Sequence, residues 1–151
     1  VIAWTTIIFG VLLYFSDKFK LNNKLEENFS IKSAIIIGVF QILSLVPGVS
    51  RSGITITTAR ILNFNRLDSA KISFLMSIPT LGAVSIFGLN NIITSPDISF
   101  SILNFISIFF SFLFSLLTIK YFLDFLKRFN LNFFVFYRVT LGIVLLFISS
   151  L

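Results

Sequence analysis

Apolar and polar stretches alternate along the chain on the scale of whole helices. Residues 1–16 (VIAWTTIIFGVLLYFS) carry no charge, whereas 17–32 hold Asp17, Lys18, Lys20, Lys24, Glu26, Glu27 and Lys32, a polar loop. Residues 33–46 (SAIIIGVFQILSLV) are apolar again. At about 1.5 Å per residue, a helix of that length reaches only about 20 Å into a hydrocarbon core roughly 30 Å thick. The run then meets Pro47-Gly48, a strong turn signal. The backbone of PGVSRSG (47–53) cannot face lipid, because its polar groups would go unpaired. Residues 54–64 (ITITTARILNF) suit a second short helix. The pattern predicts a re-entrant helical hairpin over about 33–64, the alternative being a kinked span that ends in an ordinary loop. Asn65-Arg66-Leu67-Asp68 reads as a helix start with Asp68 as the cap. A span follows over 69–89, with Pro79 tolerated mid-span where neighbours re-satisfy the freed carbonyl. Residues 90–97 form a short loop without Lys or Arg, 98–123 a long Phe- and Ser-rich span, and 132–151 the last span.

Composition turns these apolar runs into membrane segments. The chain has 151 residues, 56% hydrophobic and 12% charged, with 21 Phe. Soluble domains carry roughly a quarter charged residues. So few charges cannot cover the surface of a soluble globule of this length, and so apolar a chain is not disordered. The reading is an all-α membrane protein, one membrane domain over 1–151, with about four transmembrane helices plus the hairpin. The chain opens on Val1 inside an apolar run, and the expectation is that it is the C-terminal part of a longer polytopic protein. There is no Cys and no His. Disulfides, thiolate metal sites and the commonest general base are therefore excluded from these residues.

The net charge is +6. No basic cluster is interleaved with stacking aromatics, so nucleic acid is a poor partner. Loop bias explains the excess better. Ten cations lie in three segments: Lys18, Lys20, Lys24 and Lys32, then Arg60, Arg66 and Lys71, then Lys120, Lys127 and Arg128. Loop 90–97 has none. The three basic segments are expected in the cytoplasm and loop 90–97 outside, which requires 33–64 to leave and return on one side.

Arg51 stands apart from these segments. An ionisable residue at membrane depth is costly and points to function. Gly48 and Gly53 permit a tight backbone, Ser50, Ser52 and Thr55 add hydroxyls, and a helix begins just beyond. Helix N-terminal N–H groups and an arginine fork together describe an anion site, most naturally for phosphate. The plainer alternative is an arginine that snorkels to the surface or pairs with a distant carboxylate. Arg138, six residues into the last span, could likewise snorkel or reach a cavity. Asp17, Glu26 and Glu27 read as solvated, and Asp124 as paired locally with Lys120 or Lys127. The Phe-rich face of 98–123 reads as lipid contact or helix packing, with a prenyl groove as a further option. Trp4 and Tyr14 could anchor at the interface.

PGVSRSGIT (47–55) resembles the second signature, Pro-Gly-x-Ser-Arg-Ser-x-x-Thr, of the bacitracin-resistance type of undecaprenyl-diphosphate phosphatase. Flanking residues agree: Gly38-Val39-Phe40-Gln41 and Leu45, ISFLMSIPTLGA (72–83) and FYRVTLGIVLL (136–146). The resemblance covers nearly the whole chain but only about the C-terminal half of the family. It implies a polytopic enzyme of the bacterial inner membrane, built as an inverted repeat, with the site between two hairpin tips and towards the outer face. It implies that Ser50, Arg51 and Thr55 act on the diphosphate, that Gly48, Ser52 and Gly53 shape its loop, and that Gln41 stands where the first half has an acidic residue. Val49 departs from the Thr common in relatives. The family's first signature, with an acidic pair, a Ser-rich loop and a His, has no match here. The nucleophile or base and the ligands of a divalent cation (Mg or Ca) are therefore expected outside this chain. Expected partners are the lipid diphosphate, membrane lipid, the missing N-terminal half and a second copy. The rival functional readings are a transporter or flippase of a lipid phosphate using the same anion site, and a non-catalytic packing domain.

Overall fold

A computed structural model describes residues 1–18, 23–94 and 102–150. Lys20, the end of the 90–97 loop and the first residues of the predicted 98–123 span lie outside them. The described residues form seven α-helices in order: α1 (Ile2–Lys18), α2 (Leu25–Asn28), α3 (Ile31–Gln41), α4 (Arg51–Ile61), α5 (Arg66–Thr94), α6 (Ile102–Arg128) and α7 (Asn132–Ser150), with a 3-10 turn over Ile42–Leu45. There is no strand among the described residues, so the all-α membrane architecture holds. Among the described residues, three helices are long and apolar enough to cross a membrane: Arg66–Asn90, Asn104–Arg128 and Asn132–Ser149.

The chain turns back at Pro47 as its sequence dictates. α3 starts at Ile31 because the Ser30 hydroxyl accepts from the Ser33 N–H at 3.2 Å, the bond of an N-cap. α3 and α4 then pack side by side, with Ile37, Ala59, Phe64 and Ile72 forming a buried cluster shared with α5. Both ends of this hairpin meet at one end of the molecule. Asn23 exchanges backbone bonds with Asn63 and Asn65 at 3.2 and 3.1 Å, and the Phe29 and Phe64 rings lie 6.0 Å apart. The tip reaches Thr80 of α5. That lies about 21 Å along a 29-residue helix roughly 43 Å long. The hairpin therefore ends near the middle of α5.

α1 lies against α7 through small residues. A Cβ on Gly142 would overlap Ile7 and come within 3.1 Å of the Ala3 carbonyl, so only glycine allows this approach. Aromatic edges close the base: Phe122 meets Phe134 at 5.3 Å and Phe74 at 5.8 Å. The Phe-rich stretch of α6 is bare. Phe105, Phe109, Phe112 and Phe114 are all more than 60% exposed, as lipid contact requires.

Three expectations need correction. Asp17 is not solvated; it is 3% exposed. Its carboxylate meets Arg66 Nε at 2.6 Å and Arg60 Nε at 3.6 Å and accepts from the Leu131 N–H at 3.2 Å. It ties the end of α1 to α4, α5 and α7. Glu26 and Glu27 are exposed as expected. Asp68 does not cap α5. Asn65 does, its Oδ1 accepting from the Asp68 N–H at 2.8 Å. Asp68 instead accepts from the Leu25 N–H at 3.1 Å and so caps α2 across the chain. Residues 90–94 are helical rather than loop, and α6 runs past Leu123 to Arg128. The Asp124–Lys127 pair at 2.7 Å lies one turn apart and lets that polar end stay helical.

Candidate functional site

The hairpin tip is held in place from both sides. Gly48 has φ +94°, a conformation that glycine adopts without a steric penalty. A Cβ there would overlap the Thr5 hydroxyl and lie 2.6 Å from the Ile2 carbonyl. Thr5 donates to the Pro47 carbonyl at 2.7 Å, and Arg138 Nη2 donates to the Gly48 carbonyl at 3.0 Å. The next residue but one, Ser50, starts α4. Its hydroxyl accepts from the Gly53 N–H at 3.2 Å and contacts the Ser52 hydroxyl at 3.2 Å. The other N–H groups of that first turn have no partner within the helix. They carry the positive end of its dipole.

α4 presents two different faces. On the side of α5, Arg51 Nη1 donates to the Thr80 hydroxyl at 2.9 Å, and Thr80 lies 3.0 Å from the Ser77 carbonyl of its own helix. Thr55 is 1% exposed; its hydroxyl lies 2.6 Å from that of Ser73 and 2.9 Å from the Arg51 carbonyl. On the other side, Gly48, Ser50, Ser52 and Gly53 line a cavity of about 490 Å³, together with Ser44 and Arg138. Its lower walls are apolar: Leu13, Ile56, Phe122, Leu131 and Phe134.

The residues singled out from sequence are thus divided. Ser50, Ser52, Gly48 and Gly53 share the cavity, while Arg51 and Thr55 turn towards α5. Gln41 ends α3, is 9% exposed and does not line that cavity; its Oε1 has no hydrogen-bond partner among the described residues. Arg51 makes no ion pair among the described residues, so no carboxylate there neutralises it. Arg138 reaches the cavity rather than snorkelling. It is 8% exposed. Ser73 and Thr80 went unnoticed. The signal for them is a hydroxyl stripe at helical spacing along α5, Ser69, Ser73, Ser77 and Thr80. No group of three or more acidic side chains that could hold a metal ion occurs among the described residues.

Known proteins resemble this chain in sequence over nearly its whole length. The chain matches the model of the family described as bacitracin resistance protein BacA over residues 1–144. It is 51% identical over 149 residues to an undecaprenyl-diphosphatase of Pelagibacter ubique (strain HTCC1062), covering 98% of this chain and 57% of that protein. An undecaprenyl-diphosphatase of Campylobacter curvus (strain 525.92) is 43% identical over 150 residues, and one of Jannaschia sp. (strain CCS1) is 38% identical over 149. In each, the match covers 98–99% of this chain and 56% of the relative. The chain therefore spans a little more than half the length of the curated relatives it matches. A match that runs from the first residue through Val144 places the chain in the bacitracin resistance protein BacA family.

Proposed function

We propose that this chain supplies the diphosphate-binding half of an integral-membrane phosphatase that hydrolyses undecaprenyl diphosphate to undecaprenyl phosphate and phosphate. One observation carries the reading: Arg51 stands beside the capped N-terminus of α4, halfway along α5, with no carboxylate to neutralise it among the described residues. The names of the relatives supply the substrate. The lipid tail would stay in the bilayer while its diphosphate enters at the hairpin tip. Arg51, the Ser50 hydroxyl and the first-turn N–H groups would stabilise the charge that grows on the phosphoryl oxygens as the P–O–P bridge breaks. Thr55 would act by fixing the first turn against α5, since its hydroxyl is already engaged.

The attacking group and its base would come from the remaining length of the protein. A divalent cation (Mg or Ca) is expected for the family. The described residues offer no acidic cluster for one, so its ligands would lie elsewhere and no step here passes through it. The hairpin is read as re-entrant, and the protein as multi-pass in the bacterial inner membrane with its site towards the outer face. The basic segments at the base of the molecule support that orientation. The partners are then membrane lipid, the lipid diphosphate and the remaining length, with a second copy of the chain a further expectation.

The test is phosphate release from undecaprenyl diphosphate in detergent. It compares the chain alone with the chain joined to the remaining length of the Pelagibacter ubique relative. The joined protein is expected to turn over and the chain alone is not. Arg51→Ala should lower turnover at least about a hundredfold, the loss typical of a charge-stabilising donor. Undiminished turnover in that variant would refute the role given to Arg51.

A further inference from the structure

Away from the hairpin tip, the seam between α1 and α7 carries an open groove of about 350 Å³. Val11 and Tyr14 of α1 line it with Asn132, Val135, Phe136 and Val139 of α7. It shares no lining residue with the cavity at the tip. At about 100° per residue, the two sets of α7 residues point to nearly opposite sides of that helix. The floor of the groove is the close approach at Gly10, where a Cβ would lie 3.6 Å from Val139 Cγ2. From Val139 to Asn132 the groove runs about 10 Å along α7. It passes from apolar to polar towards the base: the three valines and Phe136 give way to Tyr14 and Asn132, the first residue of α7. Lys18, one turn beyond Tyr14, sets its ammonium 4.7 Å from the Tyr14 ring centroid and 5.8 Å from that of Phe15. These cation–π contacts hold the charge at the mouth of the groove. Among the described residues Lys18 makes no ion pair, and neither the Tyr14 hydroxyl nor the Asn132 amide side chain has a hydrogen-bond partner. The adjacent Asp17 carboxylate is turned inward, to Arg60 and Arg66.

We propose that this groove is a binding site for an anionic glycerophospholipid of the surrounding membrane. One acyl chain lies along Val11, Val135, Phe136 and Val139, and the phosphodiester sits at Lys18 with Tyr14 and Asn132 as hydrogen-bond donors. Three observations select that occupant. The order of the lining matches the order of a lipid, hydrocarbon first and headgroup at the end. The level matches as well: residues 1–16 carry no charge, so Tyr14 and Lys18 stand where the apolar layer ends, and both residue types suit that boundary. Charge complementarity then favours an anionic headgroup over a zwitterionic one, since the Lys18 ammonium has no carboxylate partner among the described residues. Arg128, the last residue of α6, is a second cation at this end of the molecule without such a partner. The basic segments place this end in the cytoplasmic leaflet, which carries anionic lipid. A lipid seated here would join α1 to α7 at the level of Asp17, where the Leu131 N–H already meets that carboxylate. The inference does not depend on the hydrolysis proposed above.

The test is the thermal unfolding midpoint of the chain in detergent, titrated separately with dioleoyl phosphatidylglycerol and dioleoyl phosphatidylcholine. The two lipids share their acyl chains and differ in charge. Phosphatidylglycerol is expected to raise the midpoint at lower concentration than phosphatidylcholine. Lys18→Gln should weaken phosphatidylglycerol binding about fivefold, the worth of one cation near an anionic surface, and so remove most of the preference. Val11→Trp leaves every cation in place and fills the groove, and should abolish the phosphatidylglycerol response. Val11 is 38% exposed and Lys18 is exposed, so neither change disturbs the core. Lys120→Gln removes an exposed cation two turns before the end of α6 and should leave the preference intact. Equal responses to the two lipids in the unaltered chain would overturn the proposal, as would unaltered phosphatidylglycerol binding in Lys18→Gln and Val11→Trp. A loss in Lys120→Gln as large as that in Lys18→Gln would also overturn it, by showing diffuse attraction to the whole basic end. Farnesyl phosphate acting in place of phosphatidylglycerol would overturn the choice of occupant and give the groove to a prenyl lipid. Turnover in the joined protein is read separately, so failure of the catalytic reading leaves this result unchanged.

Discussion

Replacing Asp17 with Asn should strongly destabilise the base of the molecule. Its side chain is 2% exposed and so is that of Arg60, while Arg66 is 35% exposed. Removing the charge leaves Arg60 buried without its counter-ion, a change that costs about 3–5 kcal/mol when one partner of a buried pair is lost. Arg66 can recover hydration through its exposed part, so its 2.6 Å bond adds less than a fully buried one would. Asn can still accept from the Leu131 N–H, which Asp17→Ala cannot. Ala should therefore cost a further ~1–3 kcal/mol. At roughly 2–4 °C per kcal/mol for a chain of this size, Asp17→Asn should lower the midpoint by about 6–20 °C. The assay is loss of helical circular dichroism on heating in detergent. Combining Asp17→Asn with Arg60→Met should restore much of the loss, because an apolar replacement of a buried pair is often neutral. A midpoint within a degree or two of the unaltered chain in the single variant would mean that Asp17 is solvated after all, and the base of the fold would need another explanation.

Two further outcomes follow from the tip. Gly48→Ala should lower the unfolding midpoint by an amount equivalent to at least about 1–3 kcal/mol, since φ +94° is strained for alanine and its Cβ would meet the Thr5 hydroxyl; an unchanged midpoint would show that the turn relaxes freely. Ser50→Asp should preserve stability, because Asp is as good an N-cap as Ser, yet should abolish turnover in the joined protein by placing a carboxylate beside the diphosphate; retained turnover would remove Ser50 from the site.

The hairpin was legible because its signals are local. Two runs too short to cross a bilayer flank Pro47-Gly48, and α3 and α4 pack side by side around that turn. The Asp124–Lys127 contact was legible for the same reason, being one helical turn apart. Asp17 was not. Its partners Arg60 and Arg66 lie 43 and 49 residues away, and Leu131 lies 114 away. In sequence it stands among lysines and reads as one more solvated charge. Asp68 was recognised as a capping residue but assigned to its own helix, because α2 is four residues long and gives almost no periodic signal. The division of the motif between two faces of α4 was also hidden. Ser50, Arg51, Ser52 and Thr55 lie close together in sequence, but each residue of a helix is rotated by about 100° from the last, and only the positions of α5 and α7 decide what each side faces.

The arginines themselves separate structure from function in this fold. Arg60 and Arg66 stand at the base and share Asp17, whose one negative charge compensates them in part. Arg51 and Arg138 stand at the tip, beside the middle of α5 and on α7, and among the described residues neither has a carboxylate. Arg51 is also the first residue of α4, where a cation is disfavoured by the helix dipole by about 0.3–1 kcal/mol. A fold selected for stability alone would put an acid at that position and an apolar residue at Arg138. Two guanidinium groups without an acid among the described residues and the positive end of α4 converge there, and the hydrogen bonds to Thr80 and the Gly48 carbonyl do not neutralise that charge. An oxyanion does. The uncompensated positive charge at the tip is what the proposed function accounts for and what folding alone does not require.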